Sequence, residues 1–236
     1  MVVEGPKSLE EALFSGQRVQ SVFVLEGWTH PVIDRAVALG AKHFAIDQHV
    51  LARVAETETP QPVLAVVERR FGDLESCRAL LMSGGFVLVA VGVGDPGNIG
   101  TIIRSAEGAG AAAVILTDGC ADPTAPKALR SSAGSLFHVP VIEARLATDV
   151  VRTLHSWGVK CFGTSSVVDG GVAPDLLDLT KSFSVLVGNE ARGLSSEVLL
   201  ACDALVTVPT IGRTESLNVA MAATVVAFEA ARQRRI

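Results

Sequence analysis

The sequence predicts an α/β protein in which a C-terminal unit built on a mainly parallel sheet follows a smaller α/β unit. Three observations carry this. Short apolar runs alternate with helix-patterned stretches along the whole chain, the pattern of layered strands and helices. The run from Phe86 to Val93 is apolar apart from Gly92, as a strand buried on both faces requires. Residues 71–84 are more polar and glycine-containing, which predicts a linker, with a short helix over 74–81, between residues 1–70 and 85–236.

In chain order, Val2-Val3 closes a first strand, and Pro6 sits where a helix begins, with Gly16 as its stop. Val19–Leu25 reads as a strand, Pro31–Leu39 as a helix closed by Gly40, and His43–Ile46 as a strand. A helix from Gln48 to about Ala55 and the apolar strand Val63–Val67 complete the first unit. In the second unit, strands are expected at 86–93, 113–116, 137–142, 160–163, 184–187 and 205–208. Helices are expected at 99–108, 125–130, 147–157, 195–200 and 217–232. No internal repeat or low-complexity tract interrupts them.

Composition excludes several classes. Hydrophobic residues make up 49% of the 236 and mean hydropathy is +0.42. Yet no apolar run approaches the roughly 20 residues of a membrane span, and Leu217–Ala231 is interrupted by Asn218 and Glu229. No basic lead with an apolar core opens the chain, so a cytoplasmic location is expected. Cys77, Cys120, Cys161 and Cys202 form no CxxC pair, and the five histidines form no HxxxH or HxH pair. Neither a metal site nor a disulfide framework is therefore expected. A net charge of −5 argues against strong nonspecific nucleic-acid binding and leaves any such role to a local patch.

Gly92-Val93-Gly94-Asp95-Pro96-Gly97 spells GxGxxG between a strand and a helix, with Asp118 about 20 residues on. This supports an alternative reading as an NAD-dependent oxidoreductase. Against it, Pro96 removes a backbone N–H from the phosphate-cradling turn. Asn98 and Arg104, nearly two helical turns apart, also place polar groups on one side of an otherwise apolar helix.

Three segments are more specific: Asp95-Pro96-Gly97-Asn98-Ile99-Gly100-Thr101-Ile102-Ile103-Arg104, then Leu186-Val187-Gly188-Asn189-Glu190-Ala191-Arg192-Gly193-Leu194, then Val208-Pro209-Thr210-Ile211-Gly212 through Glu215-Ser216-Leu217-Asn218-Val219-Ala220. In order and spacing they resemble the three motifs of the SpoU/TrmH branch of the SPOUT methyltransferases. Arg130-Ser131-Ser132-Ala133-Gly134 resembles the middle of the same family. The likeness spans residues 86–236, and the chain before it resembles the L30e-like substrate-binding domain of rRNA-modifying members.

The resemblance implies a C-terminal SPOUT α/β domain with a deep trefoil knot, against the general rule that chains do not knot. It implies transfer of a methyl group from S-adenosylmethionine to a ribose 2′-hydroxyl of RNA, by a homodimer, with 23S rRNA favoured over tRNA. An RNA-binding module that has lost activity is the remaining alternative.

On the same resemblance, Arg104 is the base or activating group for the hydroxyl, with phosphate binding through a bidentate pair as its milder role. Asn98 orients Arg104 or the ribose and can also cap its helix. Glu190 holds the catalytic arrangement, and Ser216 and Asn218 start the last helix, where Ser216 contacts a substrate phosphate. The cofactor is expected on Thr164, Ser165, Gly188, Asn189, Val208, Ile211, Ser216 and Leu217, and RNA on Arg130, Ser132 and Arg192. Trp28 and Trp157 are expected in packing, Cys161 as a buried thiol, and Arg232, Arg234 and Arg235 as a solvated helix end. Relatives commonly carry a basic helical lead before the Val-Glu-Gly-Pro stretch. Here Met1 falls within the first strand, so that strand is expected to be short and its domain less stable than its relatives.

Overall fold

Two sheets organise the chain, each made by strands that the apolar runs foretell. The computed structural model describes residues 1–55, 59–165, 171–212 and 216–235. The first sheet holds β1 (Val2–Glu4), β2 (Val19–Leu25), β3 (Lys42–Ile46) and β4 (Val63–Val67), with helices α1 (Pro6–Phe14), α2 (Pro31–Ala38) and α3 (Gln48–Val54) between them. Its order is β1-β4-β2-β3. Only β2 and β3 run parallel; β4 is antiparallel to both its neighbours. Leu9, Ala12 and Leu13 of α1 and Val32, Ile33 and Ala36 of α2 bury against Val22, Val24, Ala65 and Val67.

The second sheet is wholly parallel. It comprises β5 (Phe86–Ala90), β6 (Ala113–Leu116), β7 (Val141–Glu143), β8 (Lys160–Thr164), β9 (Phe183–Val187) and β10 (Ala204–Val206), in the order β10-β8-β9-β5-β6-β7. Helices α4 (Arg78–Met82), α5 (Pro96–Ala109), α6 (Pro126–Ser132), α7 (Ala147–Ser156), α8 (Ser196–Ala201) and α9 (Val219–Gln233) cover it. Successive residues of a strand point to opposite faces, and β5 shows it. Phe86, Leu88 and Ala90 join the core beneath α5 and α9. Val87 and Val89 join the core beneath α4, α7 and α8.

Several boundaries differ from the expected ones for identifiable reasons. The strand expected at 86–93 stops at Ala90, where the chain turns into the loop carrying Gly92 at φ +63°. The strand expected at 137–142 is only Val141–Glu143, because Ser135–Phe137 forms a 3-10 turn that sends Phe137 into the core of the first unit. Pro140, with no N–H, bars an earlier start. α5 begins at Pro96 rather than Ile99, α9 at Val219 rather than Leu217, and β10 ends at Val206, before Pro209. The stretch read as a linker is packed: Cys77 and Leu81 are buried in the second core, and Gly72 bridges to Ile142 of β7. Burial pushes the Cys77 thiol up to about 11 and the buried Cys161 thiol up to about 12. Trp28 packs at the edge of the first core, stacked on His30 at 5.5 Å. Trp157 packs on the second, under the Arg78 guanidinium at 5.4 Å.

Arg234 corrects the expectation of a solvated C-terminal helix end. Its guanidinium donates to the carbonyls of Leu179 and Lys181, both at 2.8 Å. It also lies 4.8 Å from the Phe86 ring and 5.3 Å from the Phe183 ring. Burial pulls its pKa down. Arg232 does remain at the surface, paired with Glu229 at 2.7 Å. Arg234→Ala is expected to destabilise the fold by about 2 kcal/mol, from two hydrogen bonds to a charged donor and two ring contacts. Urea denaturation would measure it, and a change under about 0.5 kcal/mol, the ordinary scatter of surface substitutions, would refute the clamp.

Candidate functional site

The site forms where parallel strands end, the usual place for ligands in such sheets. β5 leads into Gly92–Asp95, β9 into Gly188–Glu190, β8 into Thr164-Ser165, and β10 into Thr207-Val208. Since β8, β9 and β5 are adjacent, segments far apart in sequence meet there.

Glu190 is the hub. Its Oε1 accepts from the Asn98 side-chain amide at 2.9 Å and the Asp95 backbone N–H at 3.2 Å. Its Oε2 accepts from the Gly94 N–H at 3.3 Å and the Asn189 amide at 3.4 Å. Desolvation raises the pKa of its carboxyl, but these donors outweigh it and hold the pKa below the usual glutamate value. Asn98 in turn accepts from the Asn218 amide at 3.0 Å. One continuous chain, Asn218–Asn98–Glu190–Asn189, therefore ties the three sequence motifs together. The Asn189 amide also donates to the Gly92 carbonyl at 2.8 Å, which fixes the β9 loop against the β5 loop.

This geometry disposes of the dinucleotide reading. The turn N–H groups that would cradle a pyrophosphate already meet the Glu190 carboxylate, and Pro96 has none. Asp118 stands exposed beside Arg145, at 3.9 Å. The sheet also departs from the doubly wound order, because β9 inserts between β8 and β5.

Capping roles differ from those expected. Asp95, not Asn98, caps α5, its carboxylate accepting from the Asn98 N–H at 2.9 Å. Of the two residues expected to start α9, Asn218 is the cap, accepting from Ala220 N–H at 2.9 Å and Met221 N–H at 3.3 Å. The sequence reading missed Lys127, whose ammonium lies 2.6 Å from Asp95 and, with the cap, holds that carboxyl below its ordinary range. No local signal announces this partner 32 residues away. Asp before Pro at a helix start, by contrast, is a recognisable cap.

Two glycines admit close packing here. A Cβ on Gly100 would fall 2.3 Å from the Ala128 carbonyl of α6, and one on Gly188 would fall 2.3 Å from the Gly193 carbonyl carbon. Neither backbone can yield cheaply.

Beside the hub lies a cavity of about 510 Å³, within the range of small-molecule sites. Of the expected cofactor residues, Thr164, Ser165, Gly188, Asn189, Val208, Ser216 and Leu217 line it, as do Glu190 and Arg192. Ile211 does not; its side chain is fully exposed. Glu215, quoted in the third motif, lies outside the described residues. Among the expected RNA contacts, Arg130 and Arg192 are exposed. Ser132 is not: it is buried, and its hydroxyl donates to the Leu129 carbonyl of its own helix at 2.9 Å. Arg104 projects from α5 into solvent and makes no hydrogen bond or ion pair among the described residues.

At the far end of β8, His155, Cys161 and Asp203 lie close enough to share a cation. Lys160 already occupies Asp203 at 2.6 Å, and burial keeps the Cys161 thiol protonated, so this cluster reads as a capped strand end. No helix among the described residues is long and apolar enough to cross a membrane.

Comparison with known proteins agrees with the geometry. The profile of the SpoU rRNA Methylase family matches residues 85–228, and that of the MRM3-like substrate binding domain matches residues 1–65. The chain is 36% identical over 227 residues to the 23S rRNA (guanosine(2553)-2′-O)-methyltransferase RlmP of Bacillus subtilis, covering 96% of this chain and 86% of that one. It is 33% identical over 240 residues to a 23S rRNA (uridine(2479)-2′-O)-methyltransferase of Streptomyces viridochromogenes, covering 99% and 79%. Among solved structures, the SpoU methyltransferase AviRb of Streptomyces viridochromogenes in complex with AdoMet superimposes with a TM-score of 0.87 at 31% identity, covering 100% of this chain and 90% of that one.

Proposed function

The chain belongs to the SpoU rRNA methylase family, and from that premise we propose that it methylates a ribose 2′-hydroxyl of 23S rRNA with S-adenosylmethionine as donor. The observation that carries the reading is the Asn218–Asn98–Glu190–Asn189 chain set beside a cavity of cofactor size.

The residues present fit the cofactor. Gly188 and Asn189 offer backbone, Val208 and Leu217 offer apolar surface, and Thr164, Ser165 and Ser216 offer hydroxyls. When bound, S-adenosylmethionine supplies a methyl group on a positively charged sulfur. The chain's own residues then have three tasks. The hydroxyl oxygen must lose its proton as it gains the methyl carbon, and Arg104, without a hydrogen bond or ion pair among the described residues, is assigned to the adjoining phosphate when charged, or to that proton once its own guanidinium has given one up to solvent. Asn98 fixes the ribose, itself held on both sides by Glu190 and Asn218. Ser216 and the start of α9 receive substrate phosphate, where the helix dipole favours an anion although the Asn218 cap takes the Ala220 and Met221 N–H groups. Arg130 and Arg192, both exposed cations, are assigned to RNA phosphates.

The family's deep trefoil knot belongs to the same reading, supported by the insertion of β9 between β8 and β5. So does a homodimer, which the exposed stripe Met221, Val225 and Phe228 on α9 supports. A cytoplasmic location belongs to the same proposal, since it assigns rRNA as the substrate.

Incubating the protein with S-adenosylmethionine labelled in its methyl group and deproteinised 23S rRNA, with tRNA in parallel, tests the reading. Label in 23S rRNA at one site that resists alkaline cleavage is expected. Label confined to tRNA, or no binding of S-adenosylmethionine, would refute it.

A further inference from the structure

The first sheet has one basic edge and one acidic edge. Val19 of β2 lies opposite Val67 of β4, and Ser21 of β2 opposite Lys42 of β3. The start of β2, the start of β3 and the end of β4 therefore share an edge, and the C-termini of α1 and α2 reach it too. Arg18, Arg35, Lys42, Arg69 and Arg70 gather there, all exposed, with Glu68 beside them and Glu11 of α1 engaged by His138 at 2.8 Å. The opposite edge carries Glu4, Glu26, Asp34 and Asp47 against Lys7. Helix dipoles favour acids in the first turn and cations in the last, which accounts for Asp34, Asp47 and Arg35. They do not account for Arg18, Lys42, Arg69 or Arg70, which lie in no helix. In a chain of net charge −5, such a gathering needs another cause.

The basic edge faces the second unit across a cleft of about 300 Å³, lined by Gln17, Arg69 and Arg70 on one side and Leu136 to Val141 on the other. Arg69 reaches across to Glu143, at the end of β7. At the mouth stands Phe14, 76% exposed, its ring 6.3 Å from that of His138. Arg18, Arg35 and Lys42 have no acidic partner among the described residues, and Arg70 has only an exposed contact with Glu68 at 3.4 Å, a pairing worth little in water. Unpaired cations beside an exposed aromatic ring suit a single RNA strand, with phosphates on the cations and a base on the ring.

We propose that this edge, with Phe14, is where the first unit grips the RNA substrate: a single-stranded segment lies along Arg18, Lys42 and Arg70 with an unstacked base on Phe14, at the junction with the catalytic unit. The inference rests on the rRNA reading above and adds to it which surface of the N-terminal unit meets the RNA.

The test is steady-state methylation and filter binding of deproteinised 23S rRNA by the native protein, by Arg18→Glu/Lys42→Glu, by Phe14→Ala, and by Glu26→Lys on the opposite edge. The double variant is expected to raise KM for rRNA at least about tenfold near 0.1 M salt, and to flatten the dependence of log KM on log salt by about 1.5. Its kcat at saturating RNA and its affinity for S-adenosylmethionine are expected to stay at native values. Phe14→Ala should raise KM without changing the salt slope, and Glu26→Lys should stay within about twofold of native. A double variant within about twofold of native KM, while the native protein labels rRNA, overturns the edge and leaves the rRNA reading standing. A native protein that neither binds nor labels rRNA overturns both.

Discussion

Replacing Arg104 by alanine is expected to cut methyl transfer about 10²- to 10⁴-fold, the usual scale for losing a group that handles the reacting proton. Binding of S-adenosylmethionine should be unchanged, because Arg104 is not among the residues that line the cavity proposed for it. Folding should be unchanged too, since the side chain is exposed and makes no hydrogen bond or ion pair among the described residues, and such substitutions are near neutral. That combination distinguishes a catalytic arginine from a structural one. Arg104→Lys separates its two assigned tasks. A lysine keeps the charge and loses a proton more readily but lacks the planar fork, so weak rescue assigns Arg104 to bidentate phosphate binding and strong rescue to handling the proton. Single-turnover transfer at saturating cofactor is the measurement. An alanine variant that keeps more than about a tenth of native activity would remove Arg104 from the chemistry.

How much of this was legible beforehand follows from how local each cause is. The strands of the parallel sheet could be read because burial on both faces leaves an unbroken apolar run, as at Phe86–Ala90 and Phe183–Val187. Their spatial order could not, because nothing within β9 states that it inserts between β8 and β5. The strand expected at 137–142 failed because Phe137 is apolar for a reason outside its own unit: it fills the core of the first one. Arg234 was misread because its partners, two carbonyls and two rings, come from distant segments. Within the site, residues in the motifs themselves came together, while Ile211 and Ser132, each beside a residue that does face the site or solvent, did not. A motif places a segment; the rotation of each side chain within it depends on neighbours that the motif does not contain. The partnership of Lys127 with Asp95 is of the same kind.

Glu190→Gln is expected to lower transfer by about 10²-fold although it changes only one atom, and the reason is in the hydrogen-bond count. Each carboxylate oxygen accepts from two donors: Oε1 from Asn98 and Asp95, Oε2 from Gly94 and Asn189. An amide can turn either way, but in both orientations its NH₂ faces two donors and accepts from neither. The variant therefore cannot hold both sides of the hub: one orientation gives up Asn98 and Asp95, the other Gly94 and Asn189, while the Asn189–Gly92 bond remains. Protonating the native carboxylate does the same by another route. The donors depress the carboxyl pKa in the folded protein, so their stabilisation is fully present above the ordinary glutamate range and is lost as pH falls through the depressed value. Amide exchange at Gly94 and Asp95 reads both effects directly. In the native protein these two N–H groups should stay protected down to about pH 5, and in Glu190→Gln at least one of them should exchange rapidly at neutral pH while the amides of β5 and β9 keep their protection. Transfer by Glu190→Gln within about threefold of native, with Gly94 and Asp95 still protected, would show that the three motifs are held together by something other than this carboxylate.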